Sequence, residues 1–385
     1  MTYPTDHQAF NAWLNSKAKK AFTVRRIDLT TGNITLTKEI IPRSGDLVLA
    51  RVIALGQHSG LQLATGQRST LFPNDYIVLA YGDRYAPDQF EAFVPEHLGV
   101  CHLAAAGGIA GEVHHSHASM EPPTQIEPVG LLVNANKQVM NVRDGALPLI
   151  TESLSQRAKV IVSMGTSMNA GKTTTAAYLI RGFSQQGYQV AAAKLTGTGA
   201  PGDVNLMKDA GAEVVYDFTD MGYATTYRQP LEHLIESSCS MINHLNAVNP
   251  DVIILEIADG LLQHETAALI TSEYFKPLVD GVVFSAGDSM GALHGIDWLA
   301  HHKLPLLAVS GRLTTSPLAM RETAMATALP VFSIVDFMQS QVIHYLMNAM
   351  SNDVHRLSIM KPSIQRTNAQ FNRRKTDHKA IYAIA

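Results

Sequence analysis

The stretch of sequence that decides the fold is residues 160–176, which read VIVSMGTSMNAGKTTTA. Its first part is an apolar run with the character of a buried strand, and it leads into Gly165. Its last part, from Lys172, is typical of the start of a helix. A glycine in the connecting loop lets the backbone wrap around an anion, and the amides at a helix N-terminus point at the anion's oxygens. The order of strand, glycine-containing loop, lysine and helix therefore predicts a phosphate-binding loop.

The residues of this loop have separate predicted roles. The Lys172 ammonium is expected to reach the β- and γ-phosphates of a nucleotide, and the Thr173 hydroxyl to ligate Mg²⁺. The spacing is unusual, because Thr166 occupies the position of the first motif glycine and Gly165 lies one residue earlier. The predicted nucleotide-binding residues are Gly165, Thr166, Asn169, Ala170, Gly171, Lys172, Thr173, Thr174 and, after a later strand, Arg312.

Beyond residue 158, apolar runs of strand length alternate with segments of helix length. Strands are predicted at 160–164, 190–194, 214–218, 252–257, 281–284, 304–309 and 331–334, and helices near 172–187, 203–211, 230–246, 288–302, 316–327 and 337–350. Such alternation predicts βαβ units that build a mostly parallel sheet. The predicted fold class is α/β, with a mostly parallel P-loop sheet that has helices on both faces, preceded by a smaller β-rich domain.

The first 150 residues have a different pattern. Residues 1–20 predict a short amphipathic helix, and residues 22–37 predict a hairpin around Thr-Thr-Gly-Asn. Further short alternating runs, separated by Gly, Asn and Asp, are typical of a small barrel or sandwich. We therefore predict a β-rich N-terminal domain at 1–150, a P-loop domain at 155–352 and a basic C-terminal tail at 361–385.

Composition excludes several classes of protein. With 46% hydrophobic and 16% charged residues among 385, the chain is not intrinsically disordered. The net charge of −3 divides into +5 on residues 361–385 and −8 on the rest, and an acidic body is a poor match for a nucleic-acid backbone. No apolar run approaches the ~20 residues of a membrane span. Two cysteines fit a reducing compartment. We expect a cytoplasmic protein whose partners are neither nucleic acids nor membranes.

The Gly-Thr-x4-Gly-Lys-Thr form of residues 165–173 resembles the dethiobiotin synthetase group of P-loop enzymes, which is related to the cobyrinate amidases and MinD-type ATPases. The resemblance covers roughly residues 160–310 and continues at Lys194, at Asp203 and at Glu256. There are two departures. Proline is missing after Lys194, and Glu256 is followed by Ile-Ala-Asp-Gly where the group has Gly-Ala-Gly-Gly. The N-terminal domain has no counterpart in dethiobiotin synthetase.

The resemblance implies ATP and Mg²⁺ as cofactors, and a lysine at position 194 that assists the chemistry. The predicted metal-holding residues are Thr173, Asp203 and Glu256. Asp259 lies just beyond a strand end, where α/β sheets bind ligands, and it is expected to orient an amine or act as a base. The predicted catalytic residues are thus Lys172, Lys194, Glu256 and Asp259.

These features predict a Mg-ATP-dependent ligase that phosphorylates a small-molecule substrate, joins it to an amine and releases ADP and phosphate. A small-molecule kinase is one alternative. A nucleotide-switch accessory protein that acts on a protein partner is another. A homodimer is expected from the resemblance alone. His114, His115 and His117 form a further cluster, which is open to interpretation as a metal site or as a solvated loop.

Overall fold

The structure is a computed structural model that describes residues 4, 6–150 and 157–351. Its strands form two large sheets and one small hairpin. The predicted basic tail at 361–385 and most of the predicted domain boundary lie outside the described residues. Within the described part, no helix is long and apolar enough to cross a membrane.

The N-terminal part is built mainly of β-strands. Its elements are α1 His7–Lys17, β1 Lys19–Lys20, β2 Thr35–Thr37, β3 Leu47–Ala54, β4 Gly60–Gln62, β5 Arg68–Thr70, β6 Tyr76–Tyr81, β7 Phe90–Phe93, β8 Cys101–Ala105, β9 Ile109–Ser116 and β10 Thr124–Val133. Strands β6, β3, β10, β8 and β9 pair in that order, and β9 pairs back onto β6 at Ala80–Ile109 and Tyr81–Ala110. The five strands therefore close into a small barrel.

The predicted hairpin at 22–37 is wrong. Phe22–Val24 forms a buried 3₁₀ turn, and β2 pairs with β10. The carboxylate of Asp28 accepts hydrogen bonds from the backbone N–H of Thr30, at 2.8 Å, and from the Thr31 hydroxyl, at 2.6 Å. This local turn redirects the chain before the two flanking segments can pair. The apolar side chains on both sides enter the barrel core instead.

The second part has the predicted alternation of strands and helices. Its elements are β11 Lys159–Gly165, α2 Lys172–Gln185, β12 Val190–Lys194, α3 Pro201–Ala210, β13 Val214–Asp217, α4 Leu231–Asn246, β14 Val252–Glu256, α5 His264–Thr271, β15 Gly281–Ser285, α6 Ser289–His301, β16 Leu306–Ser310, α7 Pro317–Thr327 and α8 Ser340–Ser351. All strand pairs are parallel, in the order β13-β12-β14-β11-β15-β16. One apolar cluster covers each face of the sheet.

This strand order positions the phosphate loop. Strand β11 lies between β14 and β15, and all three point the same way, so the loops that follow them meet at one edge of the sheet. The predicted strand at 331–334 is reduced to a single bridge between Val309 and Val331. Helix α5, which the sequence patterns do not predict, follows β14.

The two parts are joined by a buried ion cluster and by a close backbone contact. The Arg25 guanidinium lies 2.7 Å from the Asp220 carboxylate and 3.1 Å from that of Asp217, and all three side chains are largely buried. At another point, a Cβ added to Gly107 would lie 1.8 Å from the carbonyl oxygen of Gly199. The barrel is therefore packed directly against the P-loop part.

Candidate nucleotide-binding site

The phosphate loop needs glycine at two positions. At the end of β11, a Cβ on Gly165 would lie 2.4 Å from the carbonyl oxygen of Ser285. Gly171 precedes α2 with a φ of 104°, in the left-handed region that favours glycine, and a Cβ there would lie 3.0 Å from the Cα of Gly311. The predicted Gly165 thus has a packing role even though it is one residue away from the usual motif position.

Lysine and threonine follow the loop at the start of α2. The Lys172 ammonium donates to the carbonyl oxygen of Ser167 at 2.6 Å, and the Thr173 hydroxyl donates to Glu256 Oε1 at 2.6 Å. Burial lowers the pKa of Lys172, while the charges of Glu256 and Asp259 oppose that effect. The amino group is thus held within the loop where a phosphate would lie.

Glu256 ends the central strand β14 with a carboxylate that is almost fully buried. Burial raises its pKa, and the nearby Asp203 carboxylate adds to the effect. Its Oε2 atom is buried and has no hydrogen-bond partner in the part of the chain that the structure describes. A buried carboxylate oxygen without a partner is costly, and this cost would be offset by a cation or by a donor from a ligand.

This arrangement fits Mg²⁺. Among the described residues there is no group of three or more His, Cys, Asp or Glu side chains that could hold a metal ion by itself. Mg²⁺ typically takes only one or two protein carboxylates and completes its shell with water and phosphate. The orphaned oxygen of Glu256, next to the Thr173 hydroxyl, offers that limited donor set.

Lys194 and Asp203 form an ion pair at the edge of the site. Burial alone would lower the pKa of Lys194, but the charges of Asp203 and Glu256 outweigh it and raise that pKa. Lys194 therefore stays protonated. The Asp203 carboxylate is paired with this lysine through Oδ2, and its role as a metal ligand stays a prediction.

Asp259 lies three residues beyond the end of β14, with a φ of 65°. Aspartate tolerates this left-handed conformation better than most residues. Burial raises the pKa of Asp259 to about 6, against the opposing charges of Lys172 and Lys194. A carboxylate with a pKa near neutrality has the property of a general base.

These residues share a cavity of about 820 Å³. The predicted residues that line it are Asn169, Gly171, Lys172, Thr173, Thr174, Lys194, Asp203, Glu256, Asp259 and Arg312. Gly165, Thr166 and Ala170 are not among the lining residues. Arg312 also lines a neighbouring cavity of about 370 Å³, and its backbone N–H donates to the carbonyl oxygen of Ala170 at 2.9 Å.

The opposite wall of the cavity comes from the barrel, and sequence patterns give no signal for it. Its side chains include those of His58, Arg84, Tyr85 and Gln89. The P-loop touches the barrel directly, since the Asn169 amide donates to the Asp88 carboxylate. The candidate nucleotide site is therefore a cleft between the two parts of the chain.

The histidine cluster is placed away from the phosphate loop. His115 lies 2.7 Å from the Glu91 carboxylate and His114 lies 3.8 Å from that of Glu112, both on the exposed end of β9. None of the cluster's histidines lines the large cavity.

Comparison with solved structures finds proteins of the signal recognition particle system. The chain is similar to the signal recognition particle 54 kDa protein from Aeropyrum pernix K1 in complex with GDP, with 16% identity and a TM-score of 0.34 over 52% of this chain and 50% of that one. It is also similar to the receptor FtsY from Elizabethkingia anophelis, with 16% identity and a TM-score of 0.34 over 52% of this chain and 68% of that one. A third similar structure is chloroplast FtsY from Physcomitrella patens, with 14% identity and a TM-score of 0.36 over 55% of this chain and 70% of that one. The chain spans half the length of the first of these. No family model and no curated protein matches the sequence.

The fold class is the predicted one, α/β with a parallel sheet flanked by helices and a separate β-rich part. The parallel sheet, the loop after its central strand and the lysine at the start of α2 are all present. The similarity to the solved structures is distant, with TM-scores of 0.34 to 0.36 over 52–55% of this chain.

Two predictions drawn from the finer resemblance are corrected. The predicted metabolite ligase and its kinase alternative find no support in the solved structures, which are a signal recognition particle protein and its receptors. The predicted small-molecule substrate and the predicted homodimer depended on the same resemblance to dethiobiotin synthetases, and they are left without support as well. The sequence also departs from that group at this point, because Ile257 and Asp259 replace two of the three glycines that follow the glutamate in dethiobiotin synthetases. The prediction of ATP as the cofactor is accordingly replaced by the more general one of a nucleoside triphosphate with Mg²⁺.

Proposed function

We propose that the protein is a nucleotide-dependent switch that acts on a protein partner. It binds a nucleoside triphosphate with Mg²⁺ at the phosphate loop and hydrolyses it slowly, and the bound state sets the contact between the barrel and the P-loop part. The observation that carries the proposal is the shared cleft, in which the P-loop residue Asn169 is hydrogen-bonded to Asp88 of the barrel.

Electrostatics supports a response of this contact to the nucleotide. A phosphate held by the loop brings negative charge close to the Asp88 carboxylate, and a triphosphate brings more of it than a diphosphate. The negative charges of the phosphate and of the Asp88 carboxylate repel each other, and the repulsion is stronger where the local dielectric constant is low. The contact between Asn169 and Asp88 is thus expected to differ between the two nucleotide states.

The chain's own residues have defined roles in this proposal. Lys172 and Lys194 neutralise phosphate charge, and phosphoryl transfer depends mainly on such neutralisation and on positioning. Thr173 and Glu256 would hold Mg²⁺, which when bound neutralises charge on the phosphate oxygens. Asp259 accepts a proton from the attacking water. Thr174 and Arg312 line the same cleft and would contact the nucleotide.

The proposal is tested by phosphate release from GTP and from ATP, with and without Mg²⁺. We expect slow turnover, about 10⁻⁴–10⁻² s⁻¹, as in switch NTPases without a stimulating partner. Lys172→Ala is expected to abolish it. Lys38→Ala is the matched control, because Lys38 is an exposed lysine of the barrel, outside the cavity. Turnover that requires an added small-molecule acceptor would contradict the switch.

A second readout tests the conformational part. Hydrogen exchange of residues 83–91 is measured with no nucleotide, with diphosphate and with a non-hydrolysable triphosphate. The switch predicts different protection in the three states. Equal protection in all three states, together with normal hydrolysis, would mean that the protein hydrolyses the nucleotide but that the nucleotide does not change the barrel. That outcome would contradict the switch.

A further inference from the structure

Arg84 is a buried arginine that the barrel places in the nucleotide cleft. It follows β6, and its backbone is fixed by two hydrogen bonds with Ala92, at 2.8 and 3.1 Å. Its neighbours in sequence touch the P-loop part: the Asp83 carboxylate lies 3.4 Å from the Arg228 guanidinium, and the Tyr85 and Tyr227 rings lie 5.4 Å apart. The position of Arg84 is therefore coupled to both parts of the chain.

Among the described residues, the guanidinium of Arg84 has no anionic hydrogen-bond partner. The residue is 6% exposed. Its donors reach the carbonyl oxygen of Ala104 and, at 2.6 Å, the amide oxygen of Gln89, while its Nε is buried without a partner. Burial lowers its pKa to about 10, and the Asp259 charge only partly opposes this. A buried cation whose bonded partners are all neutral is costly unless an anion joins it.

The Asp259 carboxylate lines the same cavity and acts on Arg84 electrostatically, but it accepts no hydrogen bond from the guanidinium within the described residues, so a ligand anion can still pair with Arg84. His58 adjoins Arg84, and burial lowers the pKa of His58 to about 4, so this histidine is neutral at pH 7. Among the described residues that line the cavity, Arg84 is the permanent cation contributed by the barrel, and Lys172, Lys194 and Arg312 come from the P-loop part. The cleft thus carries positive charge on both walls, with the phosphate loop on one of them.

We infer that Arg84 contacts the terminal phosphate of the bound nucleoside triphosphate from the barrel side. The inference rests on the proposed function and deepens it, because it names the residue through which the barrel detects the nucleotide. A triphosphate satisfies the guanidinium of Arg84, whereas a diphosphate leaves it without an anion. Arginine suits this role because its planar group of donors matches phosphate oxygens.

The test compares the affinities of GTPγS and ATPγS with those of GDP and ADP, measured by calorimetry on the full chain. For Arg84→Gln we expect triphosphate binding to weaken by about 10- to 100-fold, the effect of losing a charge-assisted hydrogen bond, and diphosphate binding to stay within about 3-fold. Arg84→Lys retains the charge without the planar donors, and we expect an intermediate loss. If Arg84→Gln does not fold, the triphosphate and diphosphate affinities of Arg84→Lys are used to test the inference.

The controls separate this inference from the proposed function. Arg51→Gln is matched to Arg84→Gln, since Arg51 lies in the same barrel but pairs with Glu127 on the surface, and it is expected to bind like the wild type. Lys172→Ala is expected to weaken both triphosphate and diphosphate binding. If the wild type binds neither, the proposed function fails and the inference with it. If the wild type binds both and the folded Arg84 variants keep its preference, only the inference is overturned.

Discussion

At the scale of the residue, the site combines side chains that a sequence motif marks with side chains that only the fold brings in. Lys172 and Thr173 follow from the loop motif, because the chemistry of phosphate binding requires them at the start of a helix. Arg84 lies in a turn between two barrel strands, and its surrounding sequence, Gly-Asp-Arg-Tyr, has no feature that points to a phosphate. Its role depends on burial and on the missing anionic partner, and these are properties of the packed chain.

Asp259 gives the site a specific dependence on pH. The raised pKa of about 6 means that the carboxylate is protonated below that pH and cannot accept a proton from water. We expect kcat/KM for hydrolysis to rise as the pH increases through about 6. Asp259→Asn should lower turnover by about 10²- to 10⁴-fold and remove that rise.

Asparagine also tolerates the left-handed conformation at position 259, so the variant is expected to fold. The measurement is the pH profile of phosphate release for the two proteins, with the melting temperature as a check on folding. A profile that keeps its rise in Asp259→Asn would assign the proton acceptor to another group.

At the scale of the element, the parallel sheet was predictable and much of the barrel was not. A strand such as β14 is buried on both faces, so its sequence is a continuous apolar run. A helix then connects it to the next parallel strand, and this alternation is visible in the sequence. The barrel instead depends on pairings between distant segments, as between β2 and β10, which no local pattern encodes. The predicted hairpin failed because a local turn at Asp28 redirects the chain and because β2 then pairs with the distant strand β10. Helix α5 was missed because it is only eight residues long.

The two glycines that flank α2 allow a matched test of the phosphate loop. Gly171 before the helix and Gly187 after it both have left-handed backbones, with φ of 104° and 85°. An alanine at either position is expected to cost about 1–2 kcal/mol of folding free energy. A Cβ on Gly187 meets nothing within 4 Å, whereas one on Gly171 would lie 3.0 Å from Gly311 and alter the loop.

We therefore expect Gly171→Ala to lose nucleotide binding and Gly187→Ala to keep it, although both lower the melting temperature. Calorimetric titration with GTPγS and thermal denaturation measure the two effects separately. Equal nucleotide affinity in both variants would show that the loop tolerates the added methyl group.

At the scale of the whole molecule, the site exists only where the two parts of the chain meet. The sequence predicts a P-loop part and a β-rich part, but it contains no signal that the second forms a wall of the nucleotide cavity. That fact depends on the contacts between them, such as the ion cluster of Arg25 with Asp217 and Asp220. Strand β13 carries Asp217 opposite Lys194, so the cluster adjoins the phosphate site through the sheet.

Removal of Arg25 is expected to weaken the junction between the two parts. Arg25→Ala leaves the Asp217 and Asp220 carboxylates buried without this cation, and breaking a buried pair in this way costs about 3–5 kcal/mol. Arg51→Ala breaks the exposed pair with Glu127 and should cost about 0–1 kcal/mol. Urea denaturation of the three proteins at neutral pH measures the difference. Similar losses for both variants would mean that the buried cluster does not hold the parts together.

The contact between Gly107 and Gly199 has a mechanical consequence. Two backbones touch there without an intervening side chain, so sliding is opposed by main-chain atoms that cannot change rotamer. Both glycines line the cavity, so this main-chain contact sets the separation of its two walls at that point. A side chain at either position would have to push the walls apart, and the cleft would then widen where the two parts of the chain meet.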